Sequence, residues 1–254
     1  MKKQKNTISS AKYFYDEVSD FYEKMVDFGK NLDLRINAYK NLFPVKGNIA
    51  DLGCGIGLDS IALALNGHVV TSFDVSPKMI EETKRNAEKY KVNLTTELYS
   101  LESIPKSFKE KFNNVVSVGN TIAHFDIPTL KKAIKKMYSV LLPDGKILLH
   151  ILNYRSIIKE NKRINNIASR DGKIIIRFYD FYKTNLAFNI LSFNTDSSRN
   201  FNLVSTIHYP HTKSEISYYL KEAGFSKLIF VKNFAGEKFS STDSKDMFIE
   251  AVKL

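Results

Sequence analysis

Asp51-Leu52-Gly53-Cys54-Gly55-Ile56-Gly57 constrains this chain more than any other stretch. Glycines on alternate positions, after apolar Ile49-Ala50 and before a helix-like run over 58–66, place a tight turn between a strand and a helix. Glycine lets the backbone turn there and lets a ligand approach without a Cβ in the way. The dinucleotide pattern G-x-G-x-x-G/A is not met. Counted from Gly53 its third glycine position holds Leu58, and counted from Gly55 it holds Ser60. A nicotinamide- or flavin-binding loop is disfavoured on that count.

The pattern around this loop alternates. Apolar stripes predict a helix over 11–29 ended by Gly29, and a second to about Leu42, stopped by Pro44. A strand over 48–52 runs into the glycines; a helix over 58–66 is closed by Gly67. Then follow a strand over 68–74, a helix over 77–90 capped by Ser76, a strand over 92–99 with a short helix after it, and a strand over 114–118. A helix over 128–142 leads through the turn Pro143-Asp144-Gly145 into an apolar strand over 146–152. Strands alternating with helices indicate an α/β fold, a parallel sheet covered on both faces. From residue 153 the pattern changes to three β-rich runs, 173–182, 186–195 and 201–209, with no helix between them, so an antiparallel unit is expected over 153–212. A helix over 213–223 and strands over 226–231 and 247–253 close the chain.

Composition excludes several classes. At 254 residues and 43% hydrophobic, the chain is long enough for a large core and is not a disordered chain. No stretch reaches the ~18–20 apolar residues of a membrane span, and the polar start, residues 1–10, has no apolar segment behind its lysines and is expected to be mobile. The single cysteine, Cys54, excludes an intrachain disulfide or a cysteine-rich zinc site. A soluble cytoplasmic protein is expected. The formal net charge is +11, and 105–175 holds fourteen basic against five acidic residues, among them Lys131, Lys132, Lys135 and Lys136. A solvated helix face explains this distribution; a polyanion-binding face is the alternative. His208 and His211 flank Pro210 with no third ligand in view, so no metal is expected.

The motif D-x-G-x-G-x-G at Asp51–Gly57, Asp74 at the end of the next strand followed by Val75-Ser76-Pro77, and Leu141-Leu142-Pro143-Asp144-Gly145-Lys146 before an apolar strand together resemble the class I S-adenosylmethionine-dependent methyltransferases. The resemblance covers roughly 48–152 and implies a Rossmann-like sheet and S-adenosyl-L-methionine as cofactor. It implies that Gly53, Cys54, Gly55, Gly57 and Gly119 lie against the donor, that Asp51 meets its amino group, and that Asp74 and Val75 meet the ribose. A carboxylate can accept hydrogen bonds from both ribose hydroxyls. Ser100 and Leu101 stand in the adenine-binding loop, with Ser100 where many relatives have Asp. Within the family, Gly119-Asn120-Thr121-Ile122-Ala123-His124-Phe125 and His150 followed by Asn153-Tyr154 resemble the glycine and sarcosine N-methyltransferase branch. That narrower resemblance implies Asn120 and His124 as catalytic residues and Arg35 at the donor's carboxylate. It implies Tyr15, Tyr22, Asn153, Arg177 and Tyr179 around donor and acceptor. Tyr22 also suits core packing, and His124 also suits a structural histidine.

The division expected is a helical lid over 1–45, a donor-binding core over 46–152 and 213–254, and an inserted β subdomain over 153–212 that selects the acceptor. The function expected is methyl transfer to a small molecule, at an amine nitrogen by direct displacement. An RNA methyltransferase using the basic 105–175 surface and a non-catalytic donor-binding protein are the alternatives.

Overall fold

The computed structural model describes residues 8–170 and 172–254. Most of the polar start, residues 1–7, lies outside the described residues. In chain order the elements are β1 (Ile8–Ser9), α1 (Ala11–Val26), α2 (Phe28–Leu42), β2 (Asn48–Leu52), α3 (Leu58–Leu65), β3 (Val69–Asp74), α4 (Pro77–Lys89), β4 (Thr95–Leu98), β5 (Phe112–Ser117), α5 (Ile127–Val140), β6 (Leu141–Leu152), α6 (Tyr154–Lys159), β7 (Ile164–Arg170), β8 (Lys173–Phe181), β9 (Leu186–Asn194), β10 (Ser197–His208), α7 (Lys213–Glu222), β11 (Phe225–Val231) and β12 (Asp246–Lys253).

Seven strands form one sheet in the order β11-β12-β6-β5-β2-β3-β4. β2 to β6 run parallel, and β12 is antiparallel to both its neighbours. This is the α/β fold that the alternation predicts, with the Rossmann-like sheet that the resemblance implies. The central strands are buried on both faces because helices cover each side; Ile49, Ala50, Leu52, Val115, Val116, Ile147 and Leu149 are fully enclosed. Ser76 caps α4 by accepting the Met79 N–H at 3.1 Å, with Pro77 at the first helical position.

A second sheet follows in the order β1-β10-β9-β8-β7. The three β-rich runs become β8, β9 and β10, joined antiparallel. Phe14, Val18 and Phe21 of α1 pack with Ile175, Ile190 and Val204 of this sheet in one buried cluster. α1 therefore packs against the second sheet within a cluster that also holds residues of the first.

Several boundaries differ from the sequence reading. Gly29 does not end the first helix: Asp27 breaks it in the left-handed region (φ 51°), and Gly29 lies inside α2. The strand expected over 92–99 is only β4, since Val92 and Leu94 pack below the sheet rather than pairing in it. The turn at 143–145 sits as a bulge within β6. Phe112 pairs with Leu141 but Asn114 with Lys146, and Asp144 takes up the bend at φ 61°. The segment after residue 153 also holds α6 and β7, which the β pattern did not announce. Among the described residues, no helix is long and apolar enough to cross a membrane.

Candidate functional site

The parallel sheet begins in its middle at β2, runs outward through β3 to β4, and returns to β5 on the other side of β2. Open α/β sheets bind ligands in the crevice at such a reversal. A cavity of about 450 Å³ lies there, walled by the loops after β2, β3, β4 and β5 and closed over by α1 and α2.

The glycine loop forms its floor. Gly53 (φ 82°) and Gly55 (φ 55°) both take the left-handed conformation. The N–H groups of Gly53 and Cys54 donate to the Phe73 carbonyl at 2.8 and 2.9 Å, tying the loop to β3. A Cβ at Gly53 would fall 2.5 Å from Thr121 Cγ2, whereas one at Gly55 would meet no protein atom within 4 Å. The first glycine permits close packing and the second faces open cavity. Asp74 holds the loop from the side: Oδ2 accepts the Gly55 N–H and Oδ1 the Ser76 N–H, each at 2.9 Å. Burial pushes the Asp74 carboxyl up to about 6, against those two hydrogen bonds.

Two further carboxylates stand at the α3 end. Asp51 is 2% exposed and accepts the Ser60 hydroxyl at 2.6 Å. Burial, and then the neighbouring Asp59, raise its carboxyl well above the usual range. Asp59 is paired with Arg35 Nε at 2.7 Å and accepts the Tyr39 hydroxyl at 2.5 Å. The Arg35 guanidinium also lies 4.3 Å from the centre of the Phe234 ring. In the loop after β4, Glu102 Oε2 is buried without a hydrogen-bond partner.

The opposite wall is aromatic. Tyr15 and Tyr22 of α1 meet edge to face at 5.9 Å, and the Tyr15 hydroxyl lies 3.0 Å from His124 Nε2. Burial pushes the Tyr22 phenol up to about 12 and the His124 imidazole down to about 4, so both are neutral near pH 7. Behind His124, the His208 ring stands edge-on at 4.6 Å, and its Nδ1 lies 2.8 Å from the Tyr154 hydroxyl. The Tyr154 hydroxyl accepts from Asn120 Nδ2 at 2.7 Å.

Residues 49–145 match the methyltransferase domain family. Over this stretch the chain is similar to S-adenosylmethionine-dependent methyltransferases. Glycine/sarcosine N-methyltransferase of Aphanothece halophytica is 25% identical over 206 residues, 81% of this chain and 75% of that one. Carboxy-S-adenosyl-L-methionine synthase of Nautilia profundicola is 28% identical over 235 residues, 87% of this chain and 91% of that one. The chain spans about half the length of other curated relatives it matches, the ubiquinone biosynthesis O-methyltransferases of Coxiella burnetii, at 28% identity over 121 residues. In fold it is similar to the CcbJ methyltransferase of Streptomyces caelestis, with a TM-score of 0.78 at 14% identity, covering 95% of this chain and 98% of that one.

The cavity fits the methyl donor, S-adenosyl-L-methionine. Gly55 and Gly119 leave space where a Cβ would stand, and Asp74 offers a buried carboxylate at the strand end. Glu102 Oε2 is an acceptor with no partner in the chain. Of the residues the sequence pointed to, Gly53, Cys54, Gly55, Asp74, Val75, Ser100, Leu101, Gly119, Arg35, Tyr22, Tyr15 and His124 all line this one cavity.

Six others do not line it. Asp51 lies beneath the loop on Ser60. Gly57 lets α4 approach, since a Cβ there would fall 2.9 Å from Thr83 Cγ2. Asn120, expected in the chemistry, commits its amide to the Tyr154 hydroxyl and to the Leu152 N–H, whose proton it accepts at 3.0 Å. Asn153, expected at the acceptor, donates to the carbonyls of Ser241 and Ser244 at 3.1 and 2.7 Å, pinning the approach to β12. Tyr179 is buried, its hydroxyl accepting from Asn165 at 3.1 Å. Arg177 projects from the same side of β8 as Tyr179, its charge facing the Tyr22 and Tyr179 hydroxyls and its buried Nε without a partner.

Sequence reading missed Asp59, Thr121, Glu102, Tyr154 and His208 as site components. Glu102 sits two positions after Ser100 and was legible as the nearest acid in that loop. His208 and His211, weighed as metal ligands, face different partners: His211 Nε2 meets the Phe125 carbonyl at 2.7 Å. Nothing local in sequence tells that His208 backs onto His124, 84 positions earlier in the chain.

Proposed function

We propose that this chain transfers the methyl group of S-adenosyl-L-methionine to a small-molecule amine that also carries an anionic group. One observation carries the reading: the glycine loop and Asp74 share a single cavity with Tyr15, Tyr22 and His124. Donor-side and acceptor-side groups thus face one another across a space closed by α1.

When bound, the donor supplies a sulfonium-activated methyl group, so its departure needs no metal and no covalent intermediate. The chain's own work is orientation and exclusion of water. Asp74, Glu102 and the loop backbone would hold the donor's polar edges; Arg35, beside Asp59, would meet its carboxylate. On the acceptor side, Tyr15 and Tyr22 present ring faces and hydroxyls suited to a developing cation. His124, neutral and tied to Tyr15, orients the nitrogen or takes its proton. Arg177 stands outside the cavity lining, behind Tyr22, from where its charge would support an anionic group on the acceptor. Among the described residues its buried Nε has no hydrogen-bond partner, and a half-buried guanidinium is costly to leave without one.

Incubating the chain with donor labelled in its methyl group and a panel of small amines, amino acids and amino sugars tests the reading. Turnover should concentrate on amines bearing a carboxylate or phosphate. Arg177→Ala should lower kcat/KM at least tenfold while donor affinity by calorimetry stays within twofold. Donor binding without turnover on any amine would reject the nitrogen assignment, and equal turnover on uncharged amines would reject the role of Arg177.

A further inference from the structure

A chain of buried polar groups runs from the end of β6 to the back of His124, and its donors fix its direction. The Asn120 side chain accepts the Leu152 N–H at 3.0 Å, so that atom is Oδ1 and the amide nitrogen is left to donate to the Tyr154 hydroxyl at 2.7 Å. Tyr154 is buried, and its oxygen is thereby already an acceptor. Among the described residues its own proton has one destination, His208 Nδ1 at 2.8 Å. A neutral imidazole with its lone pair on Nδ1 carries its hydrogen on Nε2. His208 is thus held in the Nε2–H form.

That buried Nε2–H has no acceptor among the described residues, and Nδ1 of His124 is likewise buried without a partner. The two rings stand perpendicular with centres 4.6 Å apart. Backbone on both sides pins them there. The Tyr209 N–H donates to the Ala123 carbonyl, and His211 Nε2 to the Phe125 carbonyl, each at 2.7 Å. Phe188 stacks on the His208 ring at 4.8 Å. Burial, and for His208 the neighbouring His124 as well, keeps both imidazoles neutral, so only their tautomers are left to set. With its hydrogen on Nδ1, His124 would add a second buried N–H without an acceptor beside His208, which is costly. With its hydrogen on Nε2, it offers a lone pair that a small turn of either ring brings to the His208 N–H.

We propose that His208 is a positioning residue for methyl transfer, keeping Nδ1 of His124 unprotonated so that the His124 hydrogen sits on Nε2, toward the Tyr15 hydroxyl. The assignment rests on the proposed methyl transfer and decides between the two roles open to His124. An imidazole with a hydrogen on Nε2 and a donor set against Nδ1 has no lone pair for the acceptor's proton. His124 therefore orients, and the amine loses its proton to solvent. The Tyr15 oxygen accepts from His124 Nε2 at 3.0 Å, which leaves its O–H for an oxygen of the acceptor in the cavity that Tyr15 lines.

Long-range proton–nitrogen-15 spectra of histidine-labelled protein near pH 7 read the tautomer of each of the five imidazoles. His124→Gln and His208→Phe assign the two signals. In the wild type both rings should show a protonated Nε2 and a bare Nδ1. His208→Phe keeps a ring against Phe188 but removes the donor, and His124 should then shift to a mixture of tautomers. Tyr154→Phe should do the same to His208. Affinity for S-adenosyl-L-methionine within twofold of wild type reports that each variant folds. With an amine that the wild type methylates, His208→Phe should lower kcat at least fivefold at a KM within twofold. His208→Gln, which restores an N–H donor, should recover most of that loss. A wild-type His208 with its hydrogen on Nδ1 overturns the proposal, as does a His124 signal unmoved in His208→Phe or an unchanged kcat. Should His208→Phe fail to fold, a His208 signal unmoved in Tyr154→Phe overturns it. Failure to methylate any amine rejects the methyl-transfer reading, while the tautomers still decide what His208 does to His124.

Discussion

The hydroxyl of Tyr15, on the first helix, lies 3.0 Å from Nε2 of His124, in the loop after β5 and 109 positions further along the chain. The two rings meet edge to face at 5.3 Å. This pair joins the N-terminal helices to the Rossmann-like sheet at the wall of the cavity, so one hydrogen bond couples closure of the helices to the placement of the imidazole.

Removing that hydroxyl should separate placement from packing. In Tyr15→Phe the ring and its contacts with Phe14 and Tyr22 persist, but His124 loses its partner. A neutral hydrogen bond contributes about 0.5–1.5 kcal/mol. Turnover should fall roughly three- to tenfold, with melting temperature changed little. A variant with unaltered kcat and KM would show that the pair only fills space.

The pH dependence of stability carries the signature of His124. Burial lowers its folded-state value to about 4, while unfolded it sits near 6.5. Between these values the unfolded chain binds more protons, so the folded state loses stability as pH falls from about 6.5 toward 4. Denaturant unfolding at pH 5 and pH 7.5 should show a smaller loss for His124→Gln than for the wild type. Parallel losses in both proteins would contradict a neutral, buried imidazole.

Donor affinity should depend on pH through Asp74. Its carboxyl is raised to about 6 in the free protein, so acid protonates it just where ribose hydroxyls would need an acceptor. Calorimetry should find affinity constant above about pH 7 and falling as pH drops through 6, approaching tenfold per unit. Asp74→Asn should remove that dependence and weaken binding by about 1.5–3 kcal/mol, the range for hydrogen bonds to a charged group. Full affinity in Asp74→Asn would exclude it from the donor site.

What the sequence disclosed follows from how local each signal is. Ser76, Pro77 and the stripe of α4 lie within one turn of each other, so cap and helix were legible. Asp51 to Gly57 announces itself because three alternate glycines mark left-handed dihedrals that most side chains avoid. Gly29 misled, because a glycine near a helix end is ambiguous and Asp27 took up the break. β7 was hidden: Ile164-Asn165-Asn166-Ile167 has no clean alternation, and its neighbour β8 supplies the pairing. The least legible features join distant segments, such as His208 behind His124 or Asn120 beneath Leu152. No spacing rule predicts a contact that only the assembled sheets create.

Asn120 provides the sharpest test of a structural against a chemical role. Its resemblance-based place is in catalysis, yet its amide donates to the Tyr154 hydroxyl and accepts the Leu152 N–H. It also holds φ at 74°, a conformation that asparagine tolerates better than alanine. Asn120→Ala should leave the Leu152 N–H without its acceptor, remove one partner of Tyr154, and strain the turn. Together these should cost about 2–4 kcal/mol, a fall in melting temperature on the order of 10 °C for a chain of this size. Any loss of turnover at low temperature should be modest and should track the fraction folded, because the amide does not line the cavity. A variant that melts like the wild type but no longer transfers methyl groups would return Asn120 to the chemistry. That outcome would mean the loop after β5 rearranges when donor and acceptor are both bound.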